Sequence, residues 1–310
     1  MKTFSDLGIS PKLVKGLTEL GIINPTEIQE QAIPVLLEKP TDFVGQAQTG
    51  TGKTAAYGLP MLELINASKN HVQALVLCPT RELAMQVSKQ LFKFTKYSDK
   101  IFSETVYGGA QIDKQIKALQ RPTHIIVATP GRLVDLMKKK VVDLTNVKTV
   151  VLDEADEMLS MGFKKDLDTI LSALPATKNR WLFSATLPEG IRQIINSHLS
   201  SNAIKIKVSG KNVVNKKIEH KYILVEDADK LTTLLQYLKF KGKERGIVFC
   251  KTKNTTKTLA KQLIAKNISA DAIHGDLLQK ERDKVMRAFK NESLRILVAT
   301  DLTARGIDVE

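Results

Sequence analysis

The sequence is poor in aromatic residues and in cysteines. Only 5% of its 310 residues are Phe, Trp or Tyr, so we do not expect the extensive base stacking by which some proteins bind single-stranded nucleic acid. The two cysteines, Cys78 and Cys250, lie far apart in apolar strand-like runs and lack metal-ligand spacing. This arrangement predicts buried thiols in a reducing compartment rather than a disulfide or a metal site.

Long apolar segments are missing as well. Residues 1–12 contain no apolar signal core, and no run approaches the roughly 18 apolar residues that span a bilayer. We therefore expect a cytoplasmic protein without a membrane partner.

Positive charge is in excess and unevenly distributed. The net charge is +14 at neutral pH. Residues 1–200 contribute +4, from 24 basic and 20 acidic residues, whereas residues 201–310 contribute +10, from 23 and 13. An excess of charge can serve solubility alone. Its concentration in the smaller segment favours a polyanion partner, because Lys and Arg that neutralise phosphates drive sequence-independent binding to nucleic acids.

Strand-like and helix-like patterns alternate along the chain, as in a parallel sheet covered by helices on both faces. The alternation lapses in the polar segment 208–217 and then restarts. We predict an α/β protein with a first domain at 1–207, a linker at 208–217 and a second domain at 218–310. The predicted strands are Asp42–Gly45, Gln73–Cys78, Phe102–Tyr107, His124–Ala128, Val147–Leu152 and Trp181–Ser184, followed by Ile218–Val225, Gly246–Cys250, Ala270–His274 and Arg295–Ala299.

The segment Ala-Gln-Thr-Gly-Thr-Gly-Lys-Thr at 47–54 has the pattern of a phosphate-binding loop, with Ala in place of the usual first Gly. Its glycines let the backbone turn so that N–H groups point at phosphate oxygens, its Lys adds a cation, and its last Thr offers a hydroxyl to Mg²⁺. A Gly- and Thr-rich surface turn is the alternative for this segment alone. The residues predicted to bind the nucleotide are Gln48, Thr49, Gly50, Thr51, Gly52, Lys53 and Thr54.

An acidic segment, Asp153-Glu154-Ala155-Asp156, directly follows the predicted strand Val147–Leu152. Open parallel sheets present their ligand-binding residues at the carboxyl ends of strands. Asp153 is predicted to hold Mg²⁺ through water, and Glu154 to polarise the attacking water. An isolated acidic tetrapeptide is usually a solvated helix start, but the preceding strand and the phosphate loop argue against that interpretation here.

These motifs resemble those of the DEAD-box ATP-dependent RNA helicases of superfamily 2, in order and over essentially the whole chain. The resemblance implies two RecA-like parallel-sheet domains in tandem, of the P-loop NTPase type. It also implies ATP and Mg²⁺ as cofactors, RNA as the partner, and local unwinding of duplexes. By resemblance, Phe4 would stack on adenine and Gln29 would hydrogen-bond its edge, although Phe4 taken alone is more typical of a core residue. No protein partner is indicated.

The resemblance also assigns RNA contacts to three segments of the first domain and to two positions of the second. Each segment follows or begins at a strand end and offers N–H groups, hydroxyls or an Arg to phosphates. Taken singly, each is equally typical of a helix start. The residues assigned to RNA are Pro79, Thr80, Arg81, Gly108, Gly109, Thr129, Gly131, Arg132, Gly275 and Thr300.

The remaining assignments concern coupling and the last residues of the chain. Ser184 and Thr186 resemble the motif that couples hydrolysis to strand separation through Asp156, with an N-cap role for Thr186 as the local alternative. Asp308 would approach the ATP ribose. Because the chain ends at Glu310, before the family's His-Arg-x-Gly-Arg-x-x-Arg element, we expect an incomplete second domain. Two rival hypotheses are a hydrolysis-deficient fragment that binds ATP and RNA, and a DNA-directed helicase of the same superfamily.

Overall fold

The computed structural model describes residues 2–174, 179–208 and 219–300, and the chain divides into two compact units, Met1–Lys211 and Asn212–Glu310. Each unit contains a parallel sheet and flanking helices. The predicted α/β class is therefore confirmed. The predicted linker lies outside the described residues except for Val208, so the predicted domain boundaries stay predictions.

Seven parallel strands form the sheet of the first unit. They are β1 (Phe43–Gln46), β2 (Ala74–Leu77), β3 (Ser103–Val106), β4 (Ile125–Ala128), β5 (Thr149–Leu152), β6 (Asn179–Ser184) and β7 (Ile204–Lys207). Their order across the sheet is β3-β4-β2-β5-β6-β1-β7. The first six correspond to predicted strands, whereas β7 was not predicted. In β7, half-buried Ile204 and Ile206 alternate with exposed lysines, a pattern typical of an edge strand that is covered on one face.

Nine α-helices are described in the first unit, and several begin at residues that favour a helix start. The helix at 27–38 has a capping box between Thr26 and Gln29, and the helix at 130–138 has Pro130 in its first turn. The helices are α1 (Pro11–Glu19), α2 (Glu27–Glu38), α3 (Lys53–Glu63), α4 (Arg81–Phe94), α5 (Ile112–Leu119), α6 (Pro130–Lys138), α7 (Ala155–Ser160), α8 (Lys164–Ala173) and α9 (Glu189–His198).

Two apolar cores lie on the two faces of this sheet. Along β1, the side chain of Phe43 packs in the core shared with α1 to α4, whereas that of Val44 packs in the core shared with α6 to α9. Strand β2 is buried along its whole length, as expected of a central parallel strand. Burial of one large apolar side chain contributes roughly 1.5–3 kcal/mol. The two cores therefore hold the strand ends, where the predicted site residues lie, in defined positions.

The described part of the second unit has three parallel strands, β8 (Gly246–Cys250), β9 (Ala270–Ile273) and β10 (Ile296–Thr300), in the order β8-β10-β9. Its helices are α10 (Lys230–Phe240), α11 (Lys253–Ala265) and α12 (Gln279–Lys290). The prediction of a strand at Ile218–Val225 is wrong for residues 219–225, which form no strand. A strand requires a hydrogen-bonded neighbour, and none of the three described strands pairs with this segment.

Both cysteines are buried free thiols, as predicted. Among the residues that the structure describes, no helix has both the length and the apolar composition needed to cross a membrane. Because the strands of each sheet are parallel, their carboxyl ends meet at one edge. In the first unit this edge carries the loop after β1, the acidic segment after β5 and the Ser-Ala-Thr segment that begins at the end of β6.

Candidate nucleotide site and nucleic-acid interface

The loop between β1 and α3 turns at two glycines. Gly50 and Gly52 have φ angles of +77° and +87°, in the left-handed region that disfavours residues with a Cβ atom. Gly52 is also the N-cap of α3, so the unpaired N–H groups of the first helical turn follow it directly. Such a helix start binds anions through these N–H groups and the helix dipole. The preceding residues Gln48 and Thr49 are exposed.

Lys53 closes this loop. Its side chain is buried, and its Nζ atom donates a hydrogen bond of 3.1 Å to the carbonyl oxygen of Ala47. An ammonium group has three donors, so this contact uses one of them and orients the others. The side chain thus lies across the loop in which a phosphate chain is predicted to bind.

Two side chains at the start of α2 also hold the loop through hydrogen bonds. The hydroxyl of Thr26 donates to the carbonyl oxygen of Thr51 at 2.8 Å, and the amide Nε2 of Gln29 donates to that of Gly52 at 2.9 Å. The Oε1 atom of Gln29 accepts from the backbone N–H of Thr26 at 2.9 Å. Gln29 therefore positions the phosphate loop. Its predicted hydrogen bond to adenine stays a prediction, and each end of the amide can form a second hydrogen bond.

Phe4 and Asp308 are the other two residues predicted to bind ATP. Phe4 is only 2% exposed and packs in the core of the first unit. Its ring face would have to be uncovered before it could stack on a base, so the stacking role stays a prediction. Asp308 lies outside the described residues.

The carboxylate of Asp153 is buried at the end of β5, and its two oxygens differ in their surroundings. Oδ2 accepts a hydrogen bond of 2.8 Å from the hydroxyl of Tyr57. Oδ1 is buried without a hydrogen-bond partner. Burial raises the pKa of Asp153 above its usual value, and the positive charge of Lys53 opposes that shift. Tyr57 was missed in the sequence, although its position four residues after Lys53 on α3 places both on one helix face.

Glu154, the predicted water-activating residue, has a strained backbone. Its φ and ψ angles of 50° and 51° lie in the left-handed region, at the N-cap of α7. A non-glycine residue in this region costs about 1 kcal/mol or more, and such residues cluster at functional sites. This left-handed backbone conformation turns the chain sharply between Asp153 and the helix that carries Asp156.

Asp156 is hydrogen-bonded to the Ser-Ala-Thr segment. Its Oδ2 atom accepts from the backbone N–H of Thr186 at 2.9 Å and from the hydroxyl of Thr186 at 2.7 Å. The backbone N–H of Asp156 donates to Oγ of Ser184 at 3.2 Å, and that hydroxyl donates to the carbonyl oxygen of Thr186 at 2.7 Å. The structure thus joins the acidic segment to the end of β6, and the coupling role of this network stays a prediction.

The residues around Asp153 suit a Mg²⁺ ion that is bound together with a nucleotide. In the described residues there is no cluster of three His, Cys, Asp or Glu side chains that could hold a metal by itself. Mg²⁺ typically keeps several waters and takes one or two carboxylates together with substrate phosphates. The buried oxygen Oδ1 of Asp153 and the hydroxyl of Thr54, in the first turn of α3, are suitable ligands or water contacts of this kind.

The segments assigned to RNA in the first unit meet at the carboxyl ends of β2, β3 and β4. Thr129, at the end of β4, accepts a hydrogen bond of 3.3 Å from the backbone N–H of Gly108. The guanidinium of Arg81 lies against Gly109, since a Cβ atom at Gly109 would come within 2.7 Å of its Nη1 atom. Three segments that are far apart in sequence therefore form one surface. Pro79 directly precedes the N-cap of α4, and Gly131 lies in the first turn of α6.

Two of these residues also stabilise the protein itself. Thr80 is the N-cap of α4, and its hydroxyl accepts from the N–H of Leu83 at 3.2 Å. Arg132 donates to the carbonyl oxygen of Ala110 at 3.1 Å and to Oε1 of Gln115 at 2.8 Å. Their RNA contacts stay predictions.

Gln115 completes this arrangement, because its Nε2 atom donates to the carbonyl oxygen of Tyr107 at 3.1 Å. Its buried side chain links Arg132 to the start of the Gly-Gly turn. No feature of the sequence around Gln115 distinguished it from the other polar residues of α5.

In the second unit, Gly275 follows β9 and Thr300 ends β10, so both lie at the carboxyl edge of the smaller sheet. Next to Gly275, the carboxylate of Asp276 accepts hydrogen bonds from Lys253 at 2.9 Å and Lys257 at 3.0 Å. These two bonds lower the pKa of Asp276 to about 2. Two basic side chains of α11 are thus bonded to the residue next to Gly275, one of the two positions of the second unit assigned to RNA.

Comparison with known proteins agrees with these features. A family model of DEAD/DEAH box helicases matches residues 26–194, and one of the helicase conserved C-terminal domain matches residues 229–310. The DEAD-box ATP-dependent RNA helicase CshA of Streptococcus pneumoniae is 44% identical over 306 residues, which are 99% of this chain and 58% of that protein. The chain thus spans a little over half the length of this curated relative.

Solved structures similar to the chain include two DEAD-box proteins. S. cerevisiae Dbp5 bound to RNA and ADP BeF3 is 33% identical, with a TM-score of 0.90 and coverage of 100% of this chain and 78% of that one. A DEAD box protein from the hyperthermophile Methanococcus jannaschii is 41% identical, with a TM-score of 0.64 and coverage of 99% and 82%. Both units therefore have the RecA-like fold. The chain belongs to the DEAD/DEAH box helicase family.

Proposed function

We propose that this chain is the catalytic core of an ATP-dependent RNA helicase, which binds Mg-ATP and RNA and locally separates RNA strands. The single observation that best supports this function is the buried Oδ1 atom of Asp153, which has no hydrogen-bond partner. A buried polar atom without a partner is costly. Burial raises the pKa of Asp153 and the positive charge of Lys53 opposes that rise, which supports a site shared by the loop and the acidic segment.

Each residue has a distinct role in this proposal. The N–H groups of the loop and the ammonium of Lys53 bind the phosphates, and Thr54 and Asp153 face the metal. Bound Mg²⁺ neutralises negative charge on the phosphates during hydrolysis. Glu154 orients and polarises the attacking water. Gln29 holds the loop through Gly52 and reads the edge of adenine with its remaining hydrogen-bonding capacity.

RNA is proposed to bind along the carboxyl ends of β2, β3 and β4. The polar groups at these strand ends are backbone N–H groups, hydroxyls and guanidinium groups, which suit phosphate and sugar oxygens better than base edges. We therefore expect little sequence specificity and a preference for RNA through its 2′-hydroxyls. The excess of Lys and Arg in residues 201–310 supports the same polyanion partner.

ATP hydrolysis is proposed to be coupled to RNA binding through Asp156. Its carboxylate is bonded twice to Thr186, while its backbone N–H is bonded to Ser184. A change at the γ-phosphate that moved Glu154 would move this network, because both residues lie in one short segment. We place the reaction in the cytoplasm, where buried thiols such as Cys78 and Cys250 stay reduced.

The test compares two substitutions in nucleotide binding and in RNA-stimulated turnover. Glu154→Gln is expected to keep the affinity for ATP but to lower turnover by roughly 10²-fold, the usual loss when a general base is removed. Lys53→Ala is expected to weaken binding itself. Turnover by Glu154→Gln at the rate of the unmodified chain would exclude the proposed role of Glu154.

Two controls separate the parts of the proposal. Unmodified chain that binds ATP and RNA without turnover would retain the binding function and refute the catalytic one. Competition between RNA and DNA of the same sequence tests the partner, since equal affinity for both would contradict a requirement for the 2′-hydroxyl.

A further inference from the structure

The hydroxyl of Tyr57 donates a hydrogen bond to the side chain of Asp153. Its oxygen lies 2.8 Å from Oδ2 of Asp153, in the fully buried interior between α3 and the end of β5. The tyrosine ring is itself held by packing, since its centroid lies 5.3 Å from that of Phe183. The hydrogen bond therefore joins two side chains that have little freedom to move.

This bond distinguishes the two oxygens of the carboxylate. With Oδ2 engaged by Tyr57, the buried Oδ1 atom is the oxygen left for a ligand. The terminal torsion of an Asp side chain is otherwise broad, so this hydrogen bond restricts the plane of the carboxylate. Because the two oxygens are chemically equivalent, exchange of their positions gives the same arrangement, in which one oxygen accepts from Tyr57 and the other is left for a ligand.

Tyr57 also connects Asp153 to the phosphate loop. It lies one helical turn after Lys53, at the beginning of the helix that follows the loop. Displacement of α3 relative to β5 would therefore move the phosphate-binding groups and the donor to Asp153 together. A phenylalanine ring at this position would fill the same space but, without the hydroxyl, would not hold the carboxylate of Asp153.

We propose that Tyr57 is a positioning residue for the metal, which orients the carboxylate of Asp153 so that Oδ1 faces Mg²⁺ or its water shell. This inference rests on the proposed function, because it requires Mg-nucleotide to bind at this loop. Residues that orient metal ligands through hydrogen bonds commonly change metal affinity by 10- to 100-fold when they are replaced. Tyr57 does not contact the nucleotide in this proposal.

The experiment is Tyr57→Phe, which keeps the ring and removes the hydroxyl. Binding of a fluorescent ADP analogue is measured while MgCl₂ is titrated, and again in EDTA. The Mg²⁺ concentration at half-saturation is expected to rise about tenfold or more, while affinity in EDTA stays that of the unmodified chain. This midpoint is normalised to the bound signal, so a smaller folded fraction does not alter it.

Tyr97→Phe is the matched control. Tyr97 also donates its hydroxyl to a carboxylate, Oε2 of Glu19 at 2.6 Å, but outside the nucleotide site. Its removal is expected to leave the Mg²⁺ midpoint unchanged. The same midpoint in Tyr57→Phe and in the unmodified chain would overturn the role of Tyr57 alone.

Two further outcomes would also overturn the inference. Equal loss of nucleotide affinity in EDTA and in saturating MgCl₂ by Tyr57→Phe would show that the hydroxyl only supports packing. Absence of Mg²⁺-dependent nucleotide binding in the unmodified chain would refute the proposed function, and the role of Tyr57 with it.

Discussion

Replacement of Gly52 by alanine tests how the phosphate loop is held. Gly52 has a φ angle of +87°, and a Cβ atom built at this position would lie 2.3 Å from Nε2 of Gln29 and 3.1 Å from Oγ1 of Thr26. A contact of 2.3 Å is impossible for non-bonded heavy atoms. Gly52→Ala must therefore displace the amide of Gln29 as well as strain its own backbone.

The expected cost has two parts. An L-residue in the left-handed region costs about 1–2 kcal/mol, and loss of the hydrogen bond from Gln29 to the carbonyl oxygen of Gly52 costs about 1 kcal/mol. Gly52→Ala should therefore lower the free energy of unfolding by about 2–3 kcal/mol. Gly50 has a similar φ angle of +77° but open space around a built Cβ atom. Gly50→Ala should show the backbone cost alone.

Unfolding of the first unit can be followed by the fluorescence of Trp181, the single tryptophan, which is fully buried. In a denaturant titration without nucleotide, the free energy of unfolding of Gly52→Ala should be about 1 kcal/mol lower than that of Gly50→Ala. In a Gln29→Ala background the 2.3 Å contact is gone and only the 3.1 Å approach to Oγ1 of Thr26 remains, so the difference in the free energy of unfolding between the two substitutions should shrink. Equal destabilisation by both substitutions in the unmodified background would refute the reasoning.

Two more predictions concern the RNA surface and the response to acid. Gln115→Leu removes the link between Arg132 and the carbonyl of Tyr107, so affinity for a single-stranded RNA should fall roughly fivefold, for a loss of about 1 kcal/mol; fluorescence anisotropy measures it, with exposed Gln120→Leu as the control. Because hydrogen bonds from Lys253 and Lys257 lower the pKa of Asp276 to about 2, its contribution to stability should be present above pH 4 and disappear as the pH falls towards 2. The stability difference between the unmodified chain and Asp276→Asn should narrow over that range, and a constant difference would contradict the assignment.

Local patterns in the sequence were sufficient for the class of fold and for most strands. Strand β2 is a continuous apolar run because both of its faces are buried. The loop after β1 contains Gly50 and Gly52 because its turn requires positive φ angles at these two positions. Both features depend on neighbouring residues. The short alternation of β7 was missed, and the segment 219–225 was wrongly predicted as a strand, because pairing with a neighbour decides both.

The roles of individual side chains depended on the tertiary structure. Phe4, which we expect to stack on adenine, packs in the core, and Arg132, which we expect to bind RNA, also holds the turn at Ala110; both roles stay predictions. No sequence pattern indicated a role for Tyr57 or Gln115. The partners of these side chains are distant in sequence, so no local pattern records them.

The sequence by itself determined which chemical groups are present: the glycines and Lys53 of a phosphate loop, and a carboxylate at a strand end. Only the tertiary structure decided their arrangement, through the order of the strands. Strand β6 lies between β1 and β5 although it comes last of the three in the chain. This order places Ser184 between the phosphate loop and the acidic segment. Hydrogen bonding between parallel strands, rather than proximity in sequence, therefore brings together groups a hundred residues apart.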